Sequence, residues 1–138
     1  MIPRATLASL LALAGALGAC SQDDGDVDAF CANALDAGQL DAVFDTFDPS
    51  DVEGTAAQFS TTLAAYEALR SDAPPEVRDD LEVLIDFTTD FRDQLIAGDP
   101  SDPATTTAIG LDLEERFADV EAATKELQGF VATTCAGS

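Results

Sequence analysis

From residue 27 to the C-terminus, apolar side chains recur at alternating intervals of three and four, the spacing that lines one face of an α-helix. Val27, Phe30, Cys31, Ala34 and Leu35 follow it first; Ala37-Gly38 interrupts, and Leu40, Val43, Phe44 and Phe47 resume. The pattern predicts one helix with a break, or two short ones, ending near Phe47. Asp48-Pro49 then stops it, because proline disfavours helical geometry in the residue before it. A second helix opens at Ser50-Asp51-Val52-Glu53, a capping-box pattern in which the Ser and Glu side chains satisfy backbone N–H groups. Its stripe is Val52, Ala56, Phe59, Leu63, Tyr66 and Leu69, and it ends near Ser71. A third begins at Ala73-Pro74-Pro75-Glu76, since proline is tolerated in a first turn whose N–H groups lack intrahelical acceptors. Val77, Leu81, Leu84, Thr88, Phe91 and Leu95 form its stripe, flanked by Ile85 and Phe87, and Gly98 reads as its C-terminal cap.

Residues 99–103, Asp-Pro-Ser-Asp-Pro, read as a loop. Residues 104–110 are ambiguous. Thr105, Thr106 and Thr107 are poor helix formers, yet Asp102-Pro103 is a good helix start, and Gly110 would bend or end a short helix there. The last helix carries Leu113, Phe117, Val120, Thr124, Leu127, Val131 and Thr134, with Phe130 adjoining, and reaches Cys135. No useful period-2 alternation and no Asn-Gly or Asp-Gly hairpin signal occurs. The expected fold is therefore all-α, an up-down antiparallel four-helix bundle. An even number of helices returns both chain ends to the same end of the bundle.

The first nineteen residues belong to a different pattern. Arg4 is followed by an uncharged apolar or small-residue run, short for a bilayer span and ending in small residues, as an export signal does. Leu17-Gly18-Ala19-Cys20 resembles the lipobox of bacterial lipoproteins. The resemblance implies diacylglycerol on the Cys20 sulfur and cleavage before Cys20. An ordinary secretory signal cut near Ala14-Gly15-Ala16 is the alternative; Leu17, three before Cys20, suits the lipobox better. The chain as a whole resembles small secreted lipoproteins of high-GC, actinobacterial-type bacteria. That likeness rests on the lipobox, the acidic linker, Phe30-Cys31, Ala73-Pro74-Pro75-Glu76 and Cys135. The expected division is 1–19 lipoprotein signal peptide, 20–26 lipidated acidic linker and 27–138 helical bundle domain. Eleven residues lead from Cys20 to Cys31 (31 − 20), at most about 36–40 Å when extended, so the domain would sit close to its membrane.

With Cys20 assigned to lipid, two of the three cysteines remain, Cys31 and Cys135. An oxidising compartment favours a bridge between them. Closing a loop of about 100 residues is worth up to about 4.7 kcal/mol in the chain-entropy model. A redox-active thiol pair is the functional alternative, but there is no C-x-x-C motif and no neighbouring His or Lys to lower a thiol pKa. A Cys31–Cys135 disulfide would bring the first helix beside the end of the last, as the four-helix arrangement requires.

Charge narrows the function. Six basic residues face 27 acidic ones in 138, for a formal net charge of −21, with no His and no Trp. Without His there is no Ser-His-Asp triad, imidazole base or His-ligated metal. Nothing could neutralise a row of phosphates, so nucleic acid is not a partner. Loss of residues 1–19 leaves 5 basic and 27 acidic groups, which anionic headgroups would repel; lipid alone would have to hold the domain. A hydrophobic fraction of 46% is too high for a disordered acidic tail.

No motif for chemistry emerges. A calcium loop starting at Asp24 would need Gly and Glu where Ala29 and Leu35 stand. Asp45, Asp48, Asp51 and Glu53 cluster around a helix junction, where caps and solvated charge explain them as well as a cation does. Asp86, between Ile85 and Phe87, faces outward on the helical wheel. The Phe residues are expected in the core, and Tyr66 can reach the surface with its hydroxyl. Glu67–Arg70, Asp112–Arg116 and Glu121–Lys125 are expected surface pairs. No catalytic, cofactor or metal residue is assigned, and the chain is not expected to be an enzyme. The expectation is an exported lipoprotein, lipid-anchored to the outer face of the cell membrane, acting as a non-catalytic binding module for an envelope protein or peptide. The alternative is a binder of a cation or small cationic ligand through the acidic surface. An exposed apolar patch would favour the former.

Overall fold

The computed structural model describes residues 25–36, 48, 50–99 and 101–137. Among them the chain is all-helical, with no strand. The helices are α1 (Val27–Asp36), α2 (Val52–Asp72), α3 (Pro75–Ala97) and α4 (Pro103–Phe130), and a π-helical turn, Val131–Cys135, continues α4. The expected apolar positions Leu40, Val43, Phe44 and Phe47, and Cys20 with the whole signal region, lie outside the described residues.

α3 is the central member. α2 packs along one flank and α4 along the other, while α1 packs on α2 and on the π-helical turn. Every position of the predicted α3 stripe is buried, together with Ile85 and Phe87, because neighbours cover both flanks. Across α2 and α3, Phe59 meets Phe91 with ring centroids 4.9 Å apart, and Arg70 reaches Glu82 at 3.4 Å. Residue numbers therefore rise along one helix as they fall along the other. The same holds for α3 and α4, where Asp90 pairs with Arg116 at 2.8 Å and Gln94 donates to Asp112 at 3.0 Å. Tyr66 does not reach the surface: it is 3% exposed, packed with Phe59 and Leu69 in the core.

Helix starts follow a device that the sequence states twice, Asp-Pro-Ser-Asp at 48–51 and again at 99–102. In each copy the first Asp accepts hydrogen bonds from the N–H and hydroxyl of the Ser two residues on. The last Asp caps the helix: Asp51 accepts from Gly54 N–H at 2.9 Å, and Asp102 from Ala104 N–H at 2.9 Å. The α2 cap is thus Asp51 and not Ser50; the Ser is held by Asp48 and is not free to serve as cap. The Ser hydrogen bonds hold the Asp48 and Asp99 carboxyls below the ordinary value of 3.8, the hydroxyl contributing most and the N–H next.

Residues 104–110 are helical, and α4 does not end at Gly110 but continues to Phe130. A Cβ there would meet nothing within 4 Å, so Gly110 costs α4 only its weak propensity, about 1 kcal/mol relative to Ala, and the long helix absorbs it. Gly98 does terminate α3, with its N–H donating to the Gln94 carbonyl at 2.9 Å, but its φ of −86° is not left-handed. Space requires the glycine: a Cβ would collide with the Thr105 side chain, where α4 starts back along α3.

The two ends of the described chain meet. Cys31 and Cys135, 104 residues apart, form a disulfide with Cα atoms 5.2 Å apart. Both are buried, at 1% and 2% exposure, beside the edge-to-face pair Phe30–Phe130, whose centroids are 5.7 Å apart. The π-helical turn aligns this bond. In an uninterrupted α-helix, at about 100° per residue, Cys135 would lie about 80° around from buried Leu127. A π-turn advances only about 82° per residue, at about 4.4 residues per turn. Five such residues bring Cys135 back under Leu127 and push Thr134, expected on the stripe, into solvent.

At the opposite terminus, Asp26 N–H donates to the Asp72 carbonyl at 3.0 Å, and the Asp26 side chain accepts from Ala29 N–H at 3.1 Å, capping α1. Gly25 has φ +67°, and a Cβ there would strike the Ala73 backbone. Only glycine allows this approach. The last two residues of the stretch read as linker, Gly25 and Asp26, are thereby fastened to the corner between α2 and α3.

Candidate interaction surface

The acidic residues singled out from the sequence do not converge on one point. Asp45 lies outside the described residues. Asp48 and Asp51 are engaged in the turn and cap before α2, and Asp86 is exposed on α3. Among the described residues, no three Cys, Asp or Glu side chains are placed to hold a metal ion. Nor is any helix there long and apolar enough to cross a membrane. Buried side-chain polar atoms among them all have partners. Thr88, for example, donates to the Leu84 carbonyl at 2.6 Å.

The expected surface pairs are partly rearranged. Arg70 turns to Glu82 on α3 and not to Glu67 within its own helix. Arg116 does approach Asp112, at 3.9 Å, but its shorter contact is Asp90 on α3, and its guanidinium lies 5.3 Å over the Phe87 ring. No ion pair joins Glu121 to Lys125 among the described residues. Where α3 meets the far part of α4, Asp80 is held above 3.8, first by partial burial and then by the charges of Glu126 and Asp79.

The feature that stands out is α4 itself. Its second half contributes buried Val120, Ala123 and Leu127. In its first half, residues 103–119, no residue is buried. Ile109 and Leu113 lean on the core, whereas Leu111 is 62% exposed and Phe117 57% exposed. Phe117 is therefore not the core residue its place in the predicted stripe implied. α3 covers only one side of this half-helix, and α2 does not reach it. On the uncovered side, Leu111, Glu114 and Phe117 follow one another at intervals of three. Gly110, Ala118 and Glu121 border them, and all six are exposed. The row from Gly110 to Glu121 is about three helical turns, or about 16 Å, long. Arg116, the one basic residue between 103 and 119, is drawn to the α3 side by Asp90 and Phe87, so from Gly110 to Glu121 the charged groups of the uncovered side are carboxylates, with exposed Lys125 one turn beyond.

Sequence reading missed Leu111 because it lies off the predicted stripe, about 160° around the helix from Leu113. The usable signal was an apolar residue on the far side of a helix that already had a stripe. Comparison of the chain with protein-family models, with characterised proteins and with solved structures finds no match.

Proposed function

We propose that this chain is an exported lipoprotein, held by lipid on Cys20 to the outer face of the cell membrane. Its helical domain serves as a non-catalytic binding module for an envelope protein or peptide. We further propose the finer architecture, an up-down antiparallel four-helix bundle closed by the disulfide. The observation that carries the binding reading is the pair of large apolar side chains, Leu111 and Phe117, left uncovered on one side of α4. Scattered exposed apolar residues are ordinary, but two on one short row, with small residues around them, form a surface a partner can use. What supports the anchoring reading is the lipobox resemblance and the shortage of basic residues for any electrostatic hold. The alternative, a cation or small cationic ligand, has the net charge in its favour and no gathered site among the described residues.

The domain's placement suits such a role. Gly25 is fastened at the α2–α3 corner, five residues after Cys20 (25 − 20), a reach of about 18 Å at most. Phe117 lies 18 residues before Cys135 on the same helix and turn (135 − 117), about 27 Å along the axis. The uncovered row is thus displaced from the end where the chain would meet the membrane.

Two measurements test the proposal. Intact mass of the membrane fraction is expected to show a lipid adduct on a chain beginning at Cys20; an unmodified chain beginning elsewhere defeats the anchor. Cleavable cross-linking in the intact envelope is expected to capture one partner with the parental chain and to lose it with Cys20→Ser and with Leu111→Ser/Phe117→Ser. Equal capture by all three chains, or none by any, defeats the binding reading.

A further inference from the structure

We infer that the uncovered row of α4, centred on Leu111, Glu114 and Phe117, receives a cationic amphipathic helix presented by another protein. The inference rests on the binding-module reading and specifies the chemistry of the partner.

The shape of the row selects the kind of element. Among the described residues there is no strand, so no sheet edge offers backbone hydrogen bonds to an extended peptide. What α4 offers is a ridge of side chains running by threes, the relief into which a second helix packs. Gly110 indents that ridge. A Cβ there would meet nothing within 4 Å, so a partner helix can come close at this point without displacing any atom of this chain. Leu111 and Phe117, six residues apart, supply two anchors about 9 Å apart along the axis, a span that the i, i+3/i+4 and i+7 positions of an apolar partner face cover.

Charge selects its sign. Glu114 stands between the two apolar anchors and Glu121 just beyond them, both exposed. The basic residue of this half-helix, Arg116, is occupied on the α3 side by Asp90 and by the Phe87 ring. An apolar helix that docks here must lay its flanks over carboxylates, and Lys or Arg on those flanks answers them. The same field opposes other occupants. A second copy would bring its own net charge of −21 against this one, and an anionic lipid surface would be repelled as well.

The test uses the full chain carrying Cys20→Ser, so that no lipid or detergent competes for the probe. The probe is a fluorescent synthetic Leu/Lys peptide of about five turns, with a scrambled peptide of equal composition as control. The amphipathic peptide is expected to bind at least about tenfold more tightly than the scrambled one. Leu111→Ser/Phe117→Ser is expected to remove that difference while leaving the weaker, salt-sensitive binding of the scrambled peptide unchanged. Glu114→Lys/Glu121→Lys is expected to weaken binding and flatten its salt dependence. Ile96→Ser, at a position 63% exposed on α3, is expected to change nothing. Unchanged urea midpoints verify that the variants fold. Equal binding of both peptides, or full binding by Leu111→Ser/Phe117→Ser, overturns the inference. So does reversible self-association in sedimentation that the double substitution abolishes, because the occupant would then be a second copy. If the peptide arm fails while the envelope cross-link still depends on Leu111 and Phe117, the binding module stands and the cationic helix falls.

Discussion

The two halves of α4 carry similar sequence patterns and have different fates. From Val120 onward Val120, Ala123 and Leu127 are buried, Phe130 and Val131 lean on the core, and the helix ends in a buried disulfide. Before Val120 the same three-and-four spacing runs through Ile109, Leu113 and Phe117, yet none of these is fully buried. The second half has two neighbours: α3 beside it, and α1 against the π-helical turn at its end. Among the described residues, the first half has α3 alone. One neighbour covers a strip of a helix; two are needed to enclose a face as broad as the one this sequence presents. An apolar stripe therefore states a demand for cover and does not say whether the fold meets it.

The comparison can be broken at its strongest point first. Cys31→Ser/Cys135→Ser frees the end of α4 from α1. The expected loss is about 2–5 kcal/mol, read as a lowered urea midpoint, with the parent matching the variant under reductant. If removing the bond changes the midpoint little, side-chain packing alone holds the far half. The next test sets the halves side by side. Leu127→Ala, in the covered half, is expected to cost about 2–5 kcal/mol through lost burial and the cavity left behind. Phe117→Ala, though a larger truncation, is expected to stay within about 0.5 kcal/mol of the parent. Equal losses would mean that Phe117 is covered in solution.

A smaller effect of opposite sign is expected at Gly110. Gly110→Ala adds a Cβ into open space on a helix and is expected to stabilise by about 0.5–1 kcal/mol. Gly98→Ala is expected to destabilise, because its Cβ meets the Thr105 side chain and the Gln94 carbonyl.

The smallest effects are electrostatic and separate the packed half from the helix starts. Asp80 faces Glu126 in the covered half, and its carboxyl is held above 3.8 by burial and like charge. Its contribution to stability is present below 3.8 and lost as pH rises through the folded value. Asp80→Asn is therefore expected to be more stable than the parent at pH 7, with the gain vanishing in acid. Asp48 and Asp99 are held below 3.8 by their Ser partners, so their contribution is present above 3.8 and lost as pH falls through the folded values. Asp48→Asn/Asp99→Asn is expected to be less stable than the parent at pH 7 and to converge with it in acid. Paired thermal unfolding curves between pH 2 and 7 would register both; parallel pH profiles would refute the assignment.

Much of the fold is legible in the chain because it is local. The α3 stripe and Pro75 at its first turn follow from spacing and residue chemistry, whereas the pairing of Cys31 with Cys135 was expected only by setting Cys20 aside through its lipobox resemblance. The repeated Asp-Pro-Ser-Asp was equally legible, yet its first copy reads as a Ser-led capping box and its second as a loop. Both copies form the same turn, because an Asp that holds the Ser leaves the second Asp to cap. The candidate surface was harder to see. Leu111 lies off the stripe, and Phe117 lies on it.

By itself, then, the sequence determined where helices form, how they start and how negative the chain is. Those properties depend on residues a few positions apart or on composition. Only the tertiary structure decided that α4 runs unbroken through Gly110, that a π-helical turn brings Cys135 into line, and that Phe117 stays outside. Each depends on the distance to a neighbouring helix, and periodicity along one helix carries no information about how far away the next one stands.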